Sequence, residues 1–221
     1  MLRLGLLGDS TIDNKRYVGS GRDVTDWMFK LQPNSIQTFQ FAKDGATIGD
    51  IYEQFELALA TRVDAIVISV GGNDLLRHAD LLSDVHIPST TLYLADLEHR
   101  VRRFGEEYRQ MLEHILNRPN APIVAVCSIY NPMFRVASER ASAQTLIRLF
   151  NDEIVQVGCT AEAKGLEPVD LIDLRTVCYK DKHFVNEIEP SERGGKKIAK
   201  AILGTISQHL LIGEDDVVLN Y

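Results

Sequence analysis

Cysteine is scarce and scattered in this chain. There are three in 221 residues, Cys127, Cys159 and Cys178, an odd number with no C-x-x-C pair. That pattern indicates neither a disulfide framework nor a zinc knuckle nor a redox dithiol. Cys127 stands in an apolar run, where it reads as a small buried hydrophobe. Positive charge is also short: 24 Lys and Arg face 31 Asp and Glu, for a net charge of −7. Nucleic acid requires a concentrated basic surface, so it is not the expected partner. The one basic cluster, Arg100, Arg102 and Arg103, sits among acidic residues and reads as a solvated helix face. No apolar run approaches the roughly 18 residues of a membrane span. The opening MLRLGLLGDS is too short for a signal peptide and runs straight into a motif, so a cytoplasmic protein is expected. Neither an internal repeat nor a low-complexity linker is present, so one domain is expected over 1–212, with a tail at 213–221.

What the chain does have is alternation of two hydrophobic periods. Leu2 to Leu7, closed by Gly8, Ile36 to Phe41, Ala65 to Val70, Ile123 to Ile129 and Val169 to Leu174 have the character of strands. AIVISV and IVAVCSI are continuous apolar runs, as expected for strands covered on both faces. Between them, Val24 to Leu31, Ile48 to Leu59, Thr90 to Asn117, Ser138 to Lys164 and Glu192 to Leu211 carry helical spacing. Strand and helix in turn, without a composition break, predict a doubly wound α/β domain built on a parallel sheet.

In such sheets ligands bind beyond the carboxyl ends of the strands, so those residues are the candidate site. They are Gly8-Asp9-Ser10, Asp44-Gly45-Ala46-Thr47, Gly71-Gly72-Asn73-Asp74, Tyr130-Asn131, and Asp173 with Arg175 and the loop to Glu189. Each has a structural reading. Gly45 could serve a positive φ. Asn73 and Asp74 could cap a helix beginning at Leu75. Arg175 could pair with the acidic loop, and Trp27 could simply pack. Their conjunction has chemical sense, because a serine hydroxyl attacking a carbonyl creates an oxyanion. The N–H groups of Ser10 and Gly45 and the Asn73 amide would be its donors. Asp9, Asp13, Asn14, Tyr130, Asn131, Arg175 and Asn186 are candidates for substrate contact.

These segments resemble the SGNH hydrolases, the GDSL-like lipase and esterase superfamily. Gly8-Asp9-Ser10 is similar to the first block, Gly45 to the second-block glycine, and Gly71-Gly72-Asn73-Asp74 to the third block, G-x-N-D. Pro190-Ser191-x-x-Gly194 with Ile198-Ala199 is similar to the segment after the catalytic histidine. The resemblance implies a flavodoxin-like three-layer α/β/α sandwich with a five-stranded parallel sheet. It also implies a Ser-His-Asp hydrolase of small ester or acylated substrates, without metal or cofactor.

The chain departs from the family pattern in the last block. Where the family has D-x-x-H before the proline, this chain has Asn186-Glu187-Ile188-Glu189. The longer strings around Ser10, Gly45 and Glu189 resemble a less characterised branch that keeps this carboxylate. A glutamate titrates about two units below an imidazole, a deficit of order 3 kcal/mol in proton affinity, which burial could recover. Glu189 and His183, six residues earlier, are the two candidate bases for Ser10, with His78 a remote third. His86, His99, His114 and His209 read as surface residues. Two functions follow: a serine ester hydrolase, and a ligand-binding or sensing protein that keeps the pocket without the histidine. A nucleotide-binding reading fails for want of a phosphate-loop glycine pattern. Substrate identity and oligomeric state are not encoded in these motifs.

Overall fold

The computed structural model describes residues 1–78, 89–163 and 166–215, with the side chains of 161–163 and 211–215 excluded. The loop around Pro88, His86 and the tail beyond 215 lie outside the described residues. Five strands form one sheet: β1 (Leu2–Gly8), β2 (Ile36–Gln40), β3 (Ala65–Ser69), β4 (Ile123–Cys127) and β5 (Val169–Ile172). Their order is β2-β1-β3-β4-β5, and every pairing is parallel. This is the flavodoxin-like order, and the expected α/β sandwich is what the chain forms.

Side chains alternate across the sheet with the period of two that strands require. In β3, Ala65 and Val67 enter one core while Ile66 and Ile68 enter the other; in β4, Ala125 and Cys127 oppose Val124 and Val126. Both faces are therefore buried, which explains the unbroken apolar runs. One layer contains α3 (Ile48–Thr61), α5 (Thr90–Leu116) and α6 (Ala137–Ala163), through residues such as Phe55, Tyr108 and Phe150. The other contains α2 (Val24–Leu31) and α8 (Glu192–Asp215), through Trp27, Met28, Ile198 and Ile202. Short helices α1 (Lys15–Val18), α4 (Gly72–Leu76) and α7 (Leu174–Val177) cap strand ends, and a hairpin pairs β6 (Phe184–Val185) with β7 (Glu189–Pro190).

Several boundaries differ from the sequence reading. The fifth strand stops at Ile172, because Asp173 accepts from the Arg175 N–H and starts α7. The fourth stops at Cys127, because the Asn151 amide takes both the N–H and the carbonyl of Ile129, at 2.7 and 2.8 Å. The helix expected from Leu75 begins at Gly72, capped by Gly71 at φ 119°. The last helix continues to Asp215, past the expected end at 211 and into the segment read as tail.

Candidate active site

At the end of β1 the chain turns sharply. Gly8 has φ 137°, and a Cβ there would lie 2.0 Å from the Ser69 carbonyl oxygen. Only glycine permits that approach. The Gln54 side chain of α3 clamps the turn, accepting from Gly8 N–H at 2.7 Å and donating to its carbonyl at 3.0 Å. Asp9 folds back under the turn, its carboxylate accepting from the Thr11 N–H at 2.9 Å. Burial raises the Asp9 carboxyl to about 7, and the charge of Glu189 adds to the rise. Ser10 follows on the outside of this turn.

The next two strand ends are tied to the first. Lys43 N–H donates to the Gly8 carbonyl at 2.9 Å, and Asp44 N–H to Asp13 Oδ2 at 3.0 Å. Gly45 occupies the following turn at φ 83°. One N–H of the Asn73 amide donates to the Ala46 carbonyl at 2.9 Å, and the Asp74 carboxylate accepts from Ile48 N–H. Gly45 is therefore held one residue from the group that binds Asn73. Among the described residues, the Ser10 and Gly45 N–H groups have no hydrogen-bond partner.

The last segment approaches as the β6–β7 hairpin. Asn14, fully buried, donates to the Pro190 carbonyl at 2.8 Å and accepts from Val24 N–H at 3.0 Å. Ser191 Oγ accepts from Gly194 N–H at 3.2 Å and donates to the Lys182 carbonyl at 2.7 Å. Gly194 is required because a Cβ would stand 2.1 Å from the His183 carbonyl oxygen. The P-S-x-x-G pattern thus encodes a helix cap and a close backbone contact. The hairpin tip is a tight turn with Asn186 at φ 50° and Glu187 at φ 65°. Glu187 fastens it to the loop after β4. Its carbonyl accepts from Met133 N–H at 2.7 Å, its carboxylate accepts from Arg135 N–H at 3.0 Å, and the Arg135 guanidinium lies 3.2 Å away.

This fastening brings Glu189 to Ser10. Burial raises the Glu189 carboxyl above its ordinary value, the nearby Ser10 hydroxyl partly offsets the rise, and the Asp44 charge adds to it. Its Oε2 is buried without a hydrogen-bond partner. Ser10, Asp9, Asn73, Tyr130 and Glu189 line one cleft of about 100 Å³. Burial raises the Tyr130 phenol well above its ordinary value, and the charges of Glu189 and Asp9 add to the rise.

The remaining candidates fall elsewhere. His183 is buried and does not line the cleft; its Nδ1 accepts from the Tyr179 N–H at 3.3 Å. Burial and the charges of Lys197, Lys182 and Lys180 lower its pKa. Asn14 is not at the mouth, since both ends of its amide hold backbone. Asp13, Gly45, Asn131, Arg175 and Asn186 are outside the lining. Arg175 pairs with Asp173 at 2.8 Å, and His78 contacts Arg100. Trp27 packs beneath α8, its Nε1 donating to the Glu192 carbonyl. Among the described residues, no three His, Cys, Asp or Glu side chains group as metal ligands, and no helix is long and apolar enough to cross a membrane.

Sequence reasoning missed Gln54, Asn151 and Glu187. A lone amide inside a helical stripe was the available signal for the first two. Nothing local distinguishes Glu187.

Residues 6–195 match the model of the GDSL-like Lipase/Acylhydrolase family. The chain belongs to that family. No curated protein matches this GDSL-family chain. Its fold is shared with a lipase from a goat-rumen metagenome, at 18% identity, covering 91% of this chain and 96% of that one with a TM-score of 0.63. An extracellular lipase from Streptomyces rimosus aligns at 16% identity over 91% and 98%, with a TM-score of 0.64. A variant of an acetyl xylan esterase from Geobacillus stearothermophilus aligns at 17% identity over 91% and 93%, with a TM-score of 0.61. As a GDSL-family chain it is of the ester-hydrolase type.

Proposed function

We propose that this protein hydrolyses esters with Ser10 as nucleophile and Glu189, in place of the family's histidine, as its base. The observation that carries the reading is that Ser10, Asn73 and the half-buried Glu189 carboxylate, whose pKa is raised, line one cleft. Glu189 is favoured over His183, whose Nδ1 accepts from the Tyr179 N–H and whose side chain does not line the cleft.

The chemistry follows from the geometry. Glu189 takes the hydroxyl proton as Ser10 Oγ bonds to the carbonyl carbon. The oxyanion receives the second N–H of the Asn73 amide and the unused N–H of Ser10. Each such donor is typically worth about 3–4 kcal/mol in the transition state. Protonated Glu189 then gives its proton to the departing alkoxide, leaving an acyl-serine and a free alcohol. A water then gives a proton to the same carboxylate as it attacks the acyl carbon; the acyl–Oγ bond breaks, and protonated Glu189 returns the proton to Ser10 Oγ, releasing the acid. The elevated pKa narrows the roughly two-unit gap to imidazole, which favours Glu189 in both accepting and returning the proton.

Hydrolysis of p-nitrophenyl esters tests this. Ser10→Ala and Glu189→Gln should each remove at least about 100-fold of kcat, in the range general bases contribute. The wild-type rate should fall as pH drops through the raised Glu189 pKa, and that limb should vanish in Glu189→Gln. Full activity in Glu189→Gln would dismiss the glutamate. The replacement of the charge-relay pair by Asn186 and Glu189 favours a second reading, a binding protein without turnover. Saturable ligand binding with no Ser10-dependent hydrolysis would establish it.

A further inference from the structure

The outer side of the α2–α8 layer is basic, although the chain as a whole carries −7. From Arg193 to Leu210, α8 contains no acidic residue. Arg193, Lys196, Lys197 and Lys200 are all exposed there. They stand at i, i+3, i+4 and i+7 and so share one side of the helix. Arg193 with Lys197, and Lys196 with Lys200, are like-charged pairs that weaken a helix. Arg193 also lies in the first turn, where the helix dipole disfavours a cation. Lys180 and Lys182, exposed around the short 3-10 helix Asp181–His183, adjoin the same end of α8. None of these cations has an ion-pair partner among the described residues.

Two aromatic rings join these charges into one field. Lys196 Nζ, Lys30 Nζ of α2 and the Arg22 guanidinium stand 4.6, 5.4 and 5.2 Å from the centroid of the Trp27 ring. The ammonium groups of Lys180 and Lys197 stand 5.3 and 6.0 Å from that of Tyr179. Beyond burial, Lys197, Lys182 and Lys180 together lower the pKa of His183, so all three lie within electrostatic reach of one imidazole. The nearby acids do not neutralise the field. Glu192 lies 3.8 Å from Arg22, Asp26 pairs with Lys15 at 2.8 Å, and Asp181 stands between two lysines.

Repulsion held along a helix without a partner in the chain is relieved by an external anion. The aromatic side chains say which kind. Phe29, beside Lys30 on α2, is 55% exposed, and Tyr179 is 51% exposed. Exposed aromatic rings among Lys and Arg are the composition that settles at a membrane–water interface. Nucleic acid fits less well, because the Tyr179 ring that would stack a base already meets two ammonium groups and lies edge-on to His183, with centroids 5.7 Å apart. A bilayer touching this face senses little of the net negative charge, since charges beyond about 8 Å are screened at physiological ionic strength. We infer that the α2–α8 face docks the protein on a bilayer containing anionic phospholipid. This face lies across the sheet from Leu75, Leu146 and Ile147, which line the cleft. Docking therefore leaves that side of the cleft uncovered, and it does not depend on the hydrolytic reading.

Co-sedimentation with vesicles tests this. Vesicles of phosphatidylcholine and phosphatidylglycerol, roughly two to one, are compared with phosphatidylcholine alone. Each cation near an anionic bilayer favours binding by about fivefold. At low salt the mixed vesicles should therefore bind at least about 100-fold more tightly than the neutral ones, and the difference should shrink as salt rises. Lys197→Gln combined with Lys200→Gln should lose about 20-fold or more of that binding. The same variant should melt no lower than the wild type, because it removes like-charged pairs. Arg102→Gln with Arg103→Gln, on α5 beside Glu98 and Glu107, should leave binding within about twofold. Phe29→Ser should weaken binding to the mixed vesicles by about threefold or more. No gain from the anionic lipid, or an unaltered affinity in the lysine double variant, would overturn the inference. So would duplex DNA bound more tightly than the mixed vesicles at the same salt and lost in the lysine double variant, which would assign the face to nucleic acid.

Discussion

Glu187 stands at a backbone conformation that glycine prefers, and its side chain explains why glycine is absent. Holding a non-glycine residue at φ 65° costs on the order of 1 kcal/mol. Against that, its carboxylate accepts the Arg135 N–H at 3.0 Å, a bond to a charged acceptor worth about 1.5–3 kcal/mol when buried. The carboxylate is 35% exposed and the Arg135 side chain 92% exposed, so the ion pair adds well under about 1 kcal/mol and the hydrogen bond is discounted toward its lower end. Three substitutions separate strain from fastening. Glu187→Ala keeps the strain and loses the fastening, so it should cost about 1–2 kcal/mol in chemical denaturation. Glu187→Gly loses the fastening but relaxes the backbone, so it should be more stable than Glu187→Ala by about 1 kcal/mol. Glu187→Gln keeps an acceptor for the Arg135 N–H and should fall within about 0.5 kcal/mol of the wild type. Activity should follow a different order. Alanine and glycine both free the hairpin that carries Glu189, so both should lower kcat, while glutamine restores it. Activity that merely tracks stability across the three variants, or equal stability of alanine and glycine, would refute the argument.

Asp9 ionises at about 7 in the folded chain against an ordinary 3.8, so the folded state holds a proton that the unfolded state has lost between those values. Stability should therefore decline as pH rises from about 4 to about 7, by up to about 4 kcal/mol, and level off above. Asp9→Asn should make that slope shallower in urea titrations; Asp74 and Glu189 are raised in the same direction and keep it from vanishing. An unchanged slope would mean that Asp9 is ionised in the native state. Two glycines of α8 should respond oppositely to alanine. Gly194→Ala drives a Cβ against the His183 carbonyl and should cost about 1–3 kcal/mol, whereas Gly204→Ala meets nothing within 4 Å and should stabilise the helix by up to about 1 kcal/mol. Thermal melts read both.

Much of this architecture is legible in the sequence because it rests on period. Ala65 to Ser69 and Ile123 to Cys127 advertise a sheet covered on both faces, and the helices between them leave parallel order as the economical arrangement. Ser10, Asn73 and Glu189 could be assigned to one locality from their places after strands, since strand ends in a parallel sheet converge. Asn14 was misplaced for an instructive reason. A polar residue four positions after the serine suggests a pocket, but its amide holds the Pro190 carbonyl, 176 residues away in sequence. The β6–β7 hairpin was equally invisible, because two-residue strands have no period and its tip uses Asn186-Glu187 where a glycine would have signalled the turn. The apolar lining of the cleft escaped notice because Ala143, Leu146 and Ile147 occur at the same helical spacing as ordinary core residues. Only the gap between α4 and α6 distinguishes them.

The substitution in the last block is therefore best judged by the effort spent around it. A carboxylate placed beside a serine and near a second buried carboxylate, Asp9, is disfavoured by both desolvation and repulsion. An idle glutamate would relieve this by turning to solvent. Here three separate contacts prevent that: Asn14 holds the Pro190 carbonyl, Ser191 caps the following helix while gripping Lys182, and Glu187 fastens the tip at the expense of backbone strain. Strain retained at one point and unfavourable burial at the next are how folded chains hold reactive groups in place. The burial that makes Glu189 costly, with the Asp44 charge added, is also what raises its pKa toward the range a general base requires. Removing the restraint at Glu187 should then lower the rate and move the acid limb of the pH profile downward together, as the freed carboxylate regains water. A loss of rate with the limb unmoved would show that the hairpin positions substrate and not the base.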